Sequence, residues 1–164
     1  MAAKAHILLV DDDELITCAM GDYFAYEGYR VTTANSCAQA SAVLRGPVKV
    51  DLVVLDYRMP GGNATVLLKS MAAEESMQKP SIILCSGMIN ESHAGETALQ
   101  EQLPDFALNL IRAYVGKPYE LHKMAEIIQT LLGLAPDKSS GTEIHSGDFI
   151  HPASNLPKKI KDAA

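Results

Sequence analysis

The sequence predicts an α/β fold: a five-stranded, doubly wound parallel sheet with helices on both faces. Short apolar runs alternate with stretches of helical periodicity from the N-terminus to about residue 134. The longer runs lack the alternation of a half-exposed strand, which indicates burial between two helical layers. Because crossovers between parallel strands are right-handed, five repeats of strand and helix lead to the doubly wound arrangement.

The N-terminal elements follow from local patterns. Residues 7–10 form the first apolar run, and apolar residues then recur at helical spacing between positions 15 and 24. Gly28 provides a stop for this helix, and a short second strand follows at residues 29–33. Ser36 and Gln39 have the spacing of a capping box, which predicts the start of a second helix.

The remaining elements are predicted in the same way. Residues 51–56 form the third strand, and the turn at 60–62 leads to a helix that Asn63 can cap. The fourth strand is expected at residues 80–86. After it we expect a polar helix at about 91–103, the fifth strand near 113–116, and an amphipathic helix at 119–132.

The last thirty residues differ in character. Residues 1–134 are predicted to form one domain, while residues 135–164 contain few large apolar side chains and little periodicity. Such a segment cannot bury enough apolar surface to offset the entropy of ordering. We therefore expect a mostly disordered C-terminal tail rather than a second domain.

Composition narrows the function. The 164-residue chain has a formal net charge of −6, which argues against a general binder of nucleic acid or anionic membranes. No apolar run approaches the roughly 20 residues needed to span a bilayer, and no secretory signal is recognisable. The three cysteines are scattered and lie in apolar contexts, as expected of reduced thiols. A cytoplasmic protein is the simplest expectation.

Polar side chains follow four of the predicted strands. Asp11 and Asp12 end the first, Asp56 the third, Ser86 the fourth and Lys117 the fifth. Because the carboxyl ends of parallel strands meet at one edge, these groups should share a crevice. Carboxylates are the ligands that Mg²⁺ prefers, and an aspartate can attack phosphorus to give an acyl phosphate. Individually, these residues could equally be helix caps, local hydrogen-bond partners or solvated surface groups.

Together, these residues and their order resemble the response-regulator receiver domains of two-component signalling, similar to the chemotaxis protein CheY, over about residues 5–134. The resemblance implies the strand order 2-1-3-4-5 and makes Asp56 the phosphoacceptor. It also implies Mg²⁺ binding by Asp12 directly, by Asp11 largely through water, and by Asp56 and the backbone carbonyl of Arg58.

The resemblance further implies a switch. Ser86 and Lys117 would bind the phosphoryl oxygens, and Tyr114 would turn inward as Ser86 moves. The family commonly has Thr-Ala where this chain has Ser86-Gly87; the hydroxyl and the access to the phosphoryl group are kept, but coupling to Tyr114 should be softer. Arg58 and Met88 flank the site, and we expect both to modulate the phosphate lifetime.

The segment between Ser86 and Lys117 is longer than usual for the family by roughly two helical turns. The extra length falls at about residues 100–111, next to the face through which receivers usually dimerise or meet partners. Our hypothesis is that residues 104–108 reshape this face for a particular partner, which makes a standard homodimer less certain. A tolerated surface insertion is the alternative.

The expected function is a stand-alone phosphoacceptor switch rather than an enzyme with a separate substrate. The expected partners are a histidine kinase or a histidine phosphotransfer protein, and a downstream protein target, without direct nucleic-acid binding or membrane insertion. One alternative is a degenerate receiver that acts as an adaptor without phosphorylation. A more distant one is a magnesium-dependent aspartyl phosphohydrolase, which would need an acidic residue where Arg58 stands.

Overall fold

The computed structural model describes residues 2–89, 94–134 and 150–152. Within them, strands form a single sheet in the order β2-β1-β3-β4-β5-β6. The first five are parallel, which confirms the predicted fold and the order 2-1-3-4-5. These strands are β1 His6–Val10, β2 Arg30–Ala34, β3 Leu52–Asp56, β4 Ser81–Ser86 and β5 Ile111–Gly116.

The helices begin where the sequence offers caps. The side chain of Asp13 accepts hydrogen bonds from the amides of Leu15 and Ile16, and Ser36 and Asn63 cap the next two helices in the same manner. The described helices are α1 Glu14–Tyr26, α2 Cys37–Arg45, α3 Ala64–Ala73, α4 Ala94–Gln102, α5 Asp105–Leu110 and α6 Leu121–Leu131.

The two faces of the sheet are buried by different helices. On one face, α1 and α6 contribute Phe24, Met124 and Ile128 to an apolar cluster with alternate residues of the central strands. On the other face, α2, α3, α4 and α5 cover a larger cluster that includes Leu68 and Leu99. Every residue of β1 and β3 is buried, as their uninterrupted apolar sequences predicted.

The long segment before β5 contains an additional helix that we did not predict. Helix α5 buries Ala107, while Phe106 and Leu108 pack against the larger apolar cluster. The Nζ atom of Lys79 lies 6.0 Å from the centre of the Phe106 ring. The insertion is therefore partly core rather than a purely superficial addition. Our hypothesis that residues 104–108 suit a particular partner stays a prediction.

A sixth strand is also additional. Residues Ile150–Pro152 form β6, which pairs antiparallel with the outer edge of β5, Ala113 opposite Pro152 and Val115 opposite Ile150. A short segment of the predicted tail therefore covers a strand edge whose backbone groups would otherwise lack partners. The expected disorder of residues 135–149 and 153–164, and the expected helix start at 91–93, lie outside the described residues.

The packing of α5 can be tested with one substitution. Ala107 is fully buried, so Ala107→Glu would place a carboxylate in an apolar cluster and should lower the free energy of unfolding by roughly 2–4 kcal/mol. Asn109→Glu, at an exposed position of the same helix, is the matched control and should change it by less than about 0.5 kcal/mol. Urea unfolding measures both; equal stability of the two variants would show that α5 is not part of the core.

Candidate functional site

Three carboxylates converge at the carboxyl edge of the sheet, as the sequence predicted. Strands β1 and β3 are neighbours in register, with Val10 opposite Leu55, so the residues that follow them lie side by side. One ligand oxygen from each of Asp11, Asp12 and Asp56 lies within 4.8 Å of the others. Asp11 and Asp56 are buried and Asp12 is exposed, which leaves the cluster open to solvent on one side.

The ammonium group of Lys117 lies between two of these carboxylates. Its Nζ atom is 2.5 Å from Oδ2 of Asp11 and 3.1 Å from Oδ1 of Asp56. The pairing of β4 with β5 places Gly116 opposite Ser86, and the Lys117 amide donates to the Ser86 carbonyl at 3.1 Å. The peptide bond between Lys117 and Pro118 is cis. Lys117, at the end of the fifth strand, thus places its ammonium group beside the carboxylates at the ends of the first and third strands.

Burial and charge act in opposite directions on these groups. Burial raises the pKa of Asp56, Lys117 opposes that rise, and Asp11 adds to it, so the pKa stays above its ordinary value. Burial lowers the pKa of Lys117, but the hydrogen bond to Asp11 and the charge of Asp56 outweigh this and raise it overall. Lys117 therefore keeps its charge, while ionised Asp56 is costly without further positive charge.

The donor set fits a hard divalent cation. Carboxylate oxygens from two neighbouring strands, one of them exposed, match the few protein ligands and several waters that Mg²⁺ takes. Oδ1 of Asp11 accepts a hydrogen bond from the Asp13 amide at 3.0 Å, and this bond fixes the orientation of the Asp11 carboxylate. The backbone of Arg58 acts to lower the pKa of Asp56, so the loop after β3 lies beside the cluster. The Arg58 carbonyl as a ligand stays a prediction.

Ser86 and Gly87 lie next to the cluster at the end of β4. The Ser86 side chain is buried, and its Oγ accepts a hydrogen bond from the Met88 amide at 3.1 Å. This local contact is the alternative that the sequence left open, although the hydroxyl can still donate. A Cβ atom built on Gly87 would meet nothing within 4 Å, so the space above this residue is open.

Tyr114 is already fully buried. Its ring lies in the apolar cluster that α4 and α5 cover, and its exposed fraction is 0%. Burial, with Glu96 nearby, raises the pKa of its hydroxyl to about 12. The inward position that we expected to follow phosphorylation is thus occupied in this structure. Arg58 is exposed and Met88 half-buried, and their predicted effect on phosphate lifetime stays a prediction.

Two tyrosines that the sequence did not single out lie beside the site. The hydroxyl of Tyr119 donates to Sδ of Met20 at 3.3 Å, under the acidic cluster, beside Cys85. The hydroxyl of Tyr57, the residue after Asp56, donates to Oε1 of Gln102 at 2.7 Å. The positions after Asp56 and Lys117 were the only available signal, because both partners are distant in sequence.

An apolar groove of about 500 Å³ borders the site. It lies between α1 and the start of α6, and Lys117 and Pro118 form its end nearest the carboxylates. The other lining residues are Ile16, Ala19, Met20, Tyr119 and Leu121. Leu15, which precedes the lining residue Ile16 on α1, is 82% exposed.

Comparisons with known proteins identify the family of the chain. Residues 7–129 match the family described as response regulator receiver domain. The chain is similar to the response regulator SaeR of Staphylococcus aureus (strain USA300), with 33% identity over 128 residues, 77% of this chain and 50% of SaeR. The chain thus spans about half the length of the curated relatives it matches.

Solved structures show the same fold. A CheY-like receiver domain protein from Methanospirillum hungatei JF-1 superimposes with a TM-score of 0.62 at 25% identity, over 79% of this chain and 94% of that one. A receiver protein from Pseudomonas putida gives 0.62 at 23% identity, over 79% and 99%. Separately, none of the helices in the described part of the chain combines the length and apolar character needed to cross a membrane.

The electrostatics of Asp56 predict a stabilising substitution. Because folding favours its neutral form, Asp56→Asn should raise the free energy of unfolding of the metal-free protein at neutral pH. The gain should vanish as the pH falls toward the ordinary aspartate value of 3.8, where the carboxyl group is protonated anyway. Unfolding in urea with EDTA measures it, and Asp22→Asn on the exposed side of α1 is the control. A less stable Asp56→Asn would mean that pairing with Lys117 outweighs burial.

Proposed function

This chain belongs to the response regulator receiver family, and we propose that Asp56 accepts a phosphoryl group from a histidine kinase or a histidine phosphotransfer protein. The observation that supports this most directly is the contact of Asp56 with Lys117 inside a three-carboxylate cluster open to solvent. The phosphorylated chain then changes its contacts with a downstream protein or passes the phosphoryl group on.

The transfer is an in-line displacement at phosphorus. An oxygen of the Asp56 carboxylate forms the new bond to phosphorus as the bond to the donor histidine nitrogen breaks, and that electron pair returns to the imidazole. Mg²⁺, held by Asp11, Asp12 and Asp56, would supply positive charge to the phosphoryl oxygens. The protein contributes position and charge, which account for most of the catalysis in phosphoryl transfer.

Lys117 and Ser86 would bind the incoming group. The ammonium group of Lys117 is held near Asp56 before reaction, so it can turn from carboxylate to phosphoryl oxygen over a short distance. The Ser86 hydroxyl can donate a hydrogen bond to a second phosphoryl oxygen. Its Oγ can do so whether or not it still accepts the hydrogen bond from the Met88 amide. Charge-assisted hydrogen bonds of this kind contribute roughly 1.5–3 kcal/mol each.

The groove beside α1 suits the phosphoryl donor. It is apolar, it is flanked by exposed Leu15, and its inner end is formed by Lys117. A helix of the donor laid into it would bring a phosphohistidine to the edge of the sheet where Asp56 lies. Arg58 and Met88 stand two positions beyond Asp56 and Ser86, and we propose that they set how fast water removes the phosphoryl group.

A second candidate is a receiver that binds its target without phosphorylation. The fully buried Tyr114 favours it, because a ring already in the inward position has no inward movement left to report phosphorylation. Both candidates need the fold, but only the first needs Asp56 to react.

Phosphorylation by a small-molecule donor separates the two. Incubation with Mg²⁺ and acetyl phosphate should add one phosphoryl group by intact mass to the wild-type chain and to Asp22→Asn, and none to Asp56→Asn or to wild type in EDTA. Equal uptake by Asp56→Asn would place the reaction elsewhere, and no uptake by any form with this donor or a phosphohistidine protein would favour the adaptor.

The rate at which the phosphoryl group is lost after donor removal should differ from wild type in Arg58→Ala and Met88→Ala. An unchanged rate would show that these side chains are passive.

A further inference from the structure

We propose that helix α4 is attached at both ends to the residues beside the phosphorylation site, and that the hydrogen bond from Tyr57 to Gln102 carries phosphorylation of Asp56 to α4 and α5. The proposal rests on the proposed function, because it needs Asp56 to be the reacting residue. It adds an output route that does not depend on rotation of Tyr114.

The first attachment is at the C-terminal end of α4. Tyr57 directly follows Asp56 and is 3% exposed, and its hydroxyl donates to Oε1 of Gln102 at 2.7 Å. The Gln102 side-chain amide in turn donates to the carbonyl of Ala98 one turn earlier, at 3.1 Å. The acceptor is therefore oriented by the helix itself, and displacement of Tyr57 displaces the end of α4.

The backbone of Tyr57 is held equally firmly. Its amide donates to the Cys85 carbonyl at 2.8 Å, and its carbonyl accepts from the Ala64 amide, at the start of α3, at 2.9 Å. Tyr57 thus joins the end of β4, the start of α3 and the end of α4. A change in the peptide that links Asp56 to Tyr57 reaches all three elements through direct hydrogen bonds.

The second attachment is at the N-terminal end of α4. Gly95 packs so closely on the loop after β4 that a Cβ atom on it would lie 1.8 Å from the carbonyl oxygen of Met88. A side chain larger than hydrogen does not fit there without movement of the helix or the loop. Met88 is the residue whose amide holds the Ser86 hydroxyl, so a shift of Ser86 toward a phosphoryl oxygen also reaches α4.

Between these attachments, α4 is short, and among its described side chains only Leu99 is buried, so few contacts oppose movement of the helix as a unit. Its nine residues span roughly 13 Å, and Leu99 is fully buried at its centre. Leu103 and Pro104 connect it directly to α5, and this short connection would transmit a displacement of α4 to α5. A shallow cleft of about 280 Å³, lined in part by Tyr57, Lys69 and Gln102, leaves room beside the hydrogen bond for both side chains to shift.

The position of Tyr114 gives this route its importance. The ring of Tyr114 packs in the same apolar cluster as Leu99 and Leu103, and its exposed fraction is 0%. Because the Tyr114 ring is already in the interior, movement of the ring into the interior cannot report phosphorylation. The attachments of α4 provide a connection from Asp56 and Ser86 to the surface that uses no rotamer change of Tyr114.

The test is the removal of one oxygen atom. Tyr57→Phe keeps the ring in the core and loses only the hydroxyl, whereas Tyr26→Phe, at a position that is 90% exposed, is the matched control. Hydrogen exchange over residues 94–110 is measured with and without beryllofluoride and Mg²⁺, and phosphorylation is followed by intact mass with acetyl phosphate.

Tyr57→Phe should take up phosphoryl groups within about two-fold of wild type. Before activation, its amides in the last turn of α4 should exchange roughly 3- to 10-fold faster than in wild type, the range expected for loss of one neutral hydrogen bond. The activation-dependent change over α4 and α5 should fall by a similar factor. Tyr26→Phe should match wild type in all three measurements.

Gln102→Leu provides the independent check, since it removes the acceptor and leaves Tyr57 intact. Gln102→Leu should reproduce the Tyr57→Phe effect, and the double variant should add little to either, because both remove one interaction. If the α4 amides of Tyr57→Phe exchange hydrogen at the wild-type rate both before and after activation, the proposal is overturned. Failure of the wild-type chain to be phosphorylated would instead count against the proposed function, while the exchange before activation would still test the attachment.

Discussion

The arrangement depends on three carboxylates that the sheet forces together against their mutual repulsion. Two unit charges about 4 Å apart repel by roughly 4 kcal/mol at an effective dielectric near 20. Both Asp11 and Asp56 are buried, and burial further disfavours the charged form of Asp56. The ammonium group of Lys117, delivered by the fifth strand, offsets part of it. A site that is short of positive charge is suited to a divalent cation and, with it, a phosphoryl group.

The fold holds this unfavourable cluster because the interactions behind it are strong. Residues Ile7, Leu8 and Leu52–Leu55 are almost fully buried between the two layers of helices, so β1 and β3 cannot separate to relieve the repulsion. Asp13 caps α1 and, through its amide, fixes one oxygen of Asp11. The stability of the buried strands therefore offsets the repulsion among the carboxylates, as is usual where function requires charges to be brought together.

The sequence predicts the elements whose signal is local and misses those that depend on tertiary contact. The parallel strands and the meeting of Asp11, Asp12, Asp56 and Lys117 follow from uninterrupted apolar runs and the geometry of parallel sheets, whereas the strand order was implied by the family resemblance. Helix α5 was missed because its apolar residues cover only about one and a half turns, too few for periodicity to be seen. The inward position of Tyr114 depends on α4 and α5 covering it, and the hydrogen bond from Tyr57 to Gln102 spans 45 positions, so neither leaves a pattern in the sequence.

The charge balance makes a direct prediction for Mg²⁺ affinity. If Lys117 offsets the carboxylates, its removal leaves them more negative, and Lys117→Met should bind Mg²⁺ about ten-fold more tightly than wild type, or 1.4 kcal/mol. Isothermal titration calorimetry with Mg²⁺ alone measures this, with the exposed Lys69→Met as the control. Unchanged or weaker binding by Lys117→Met would contradict the account, because it would show that the carboxylates do not depend on Lys117 for their charge balance.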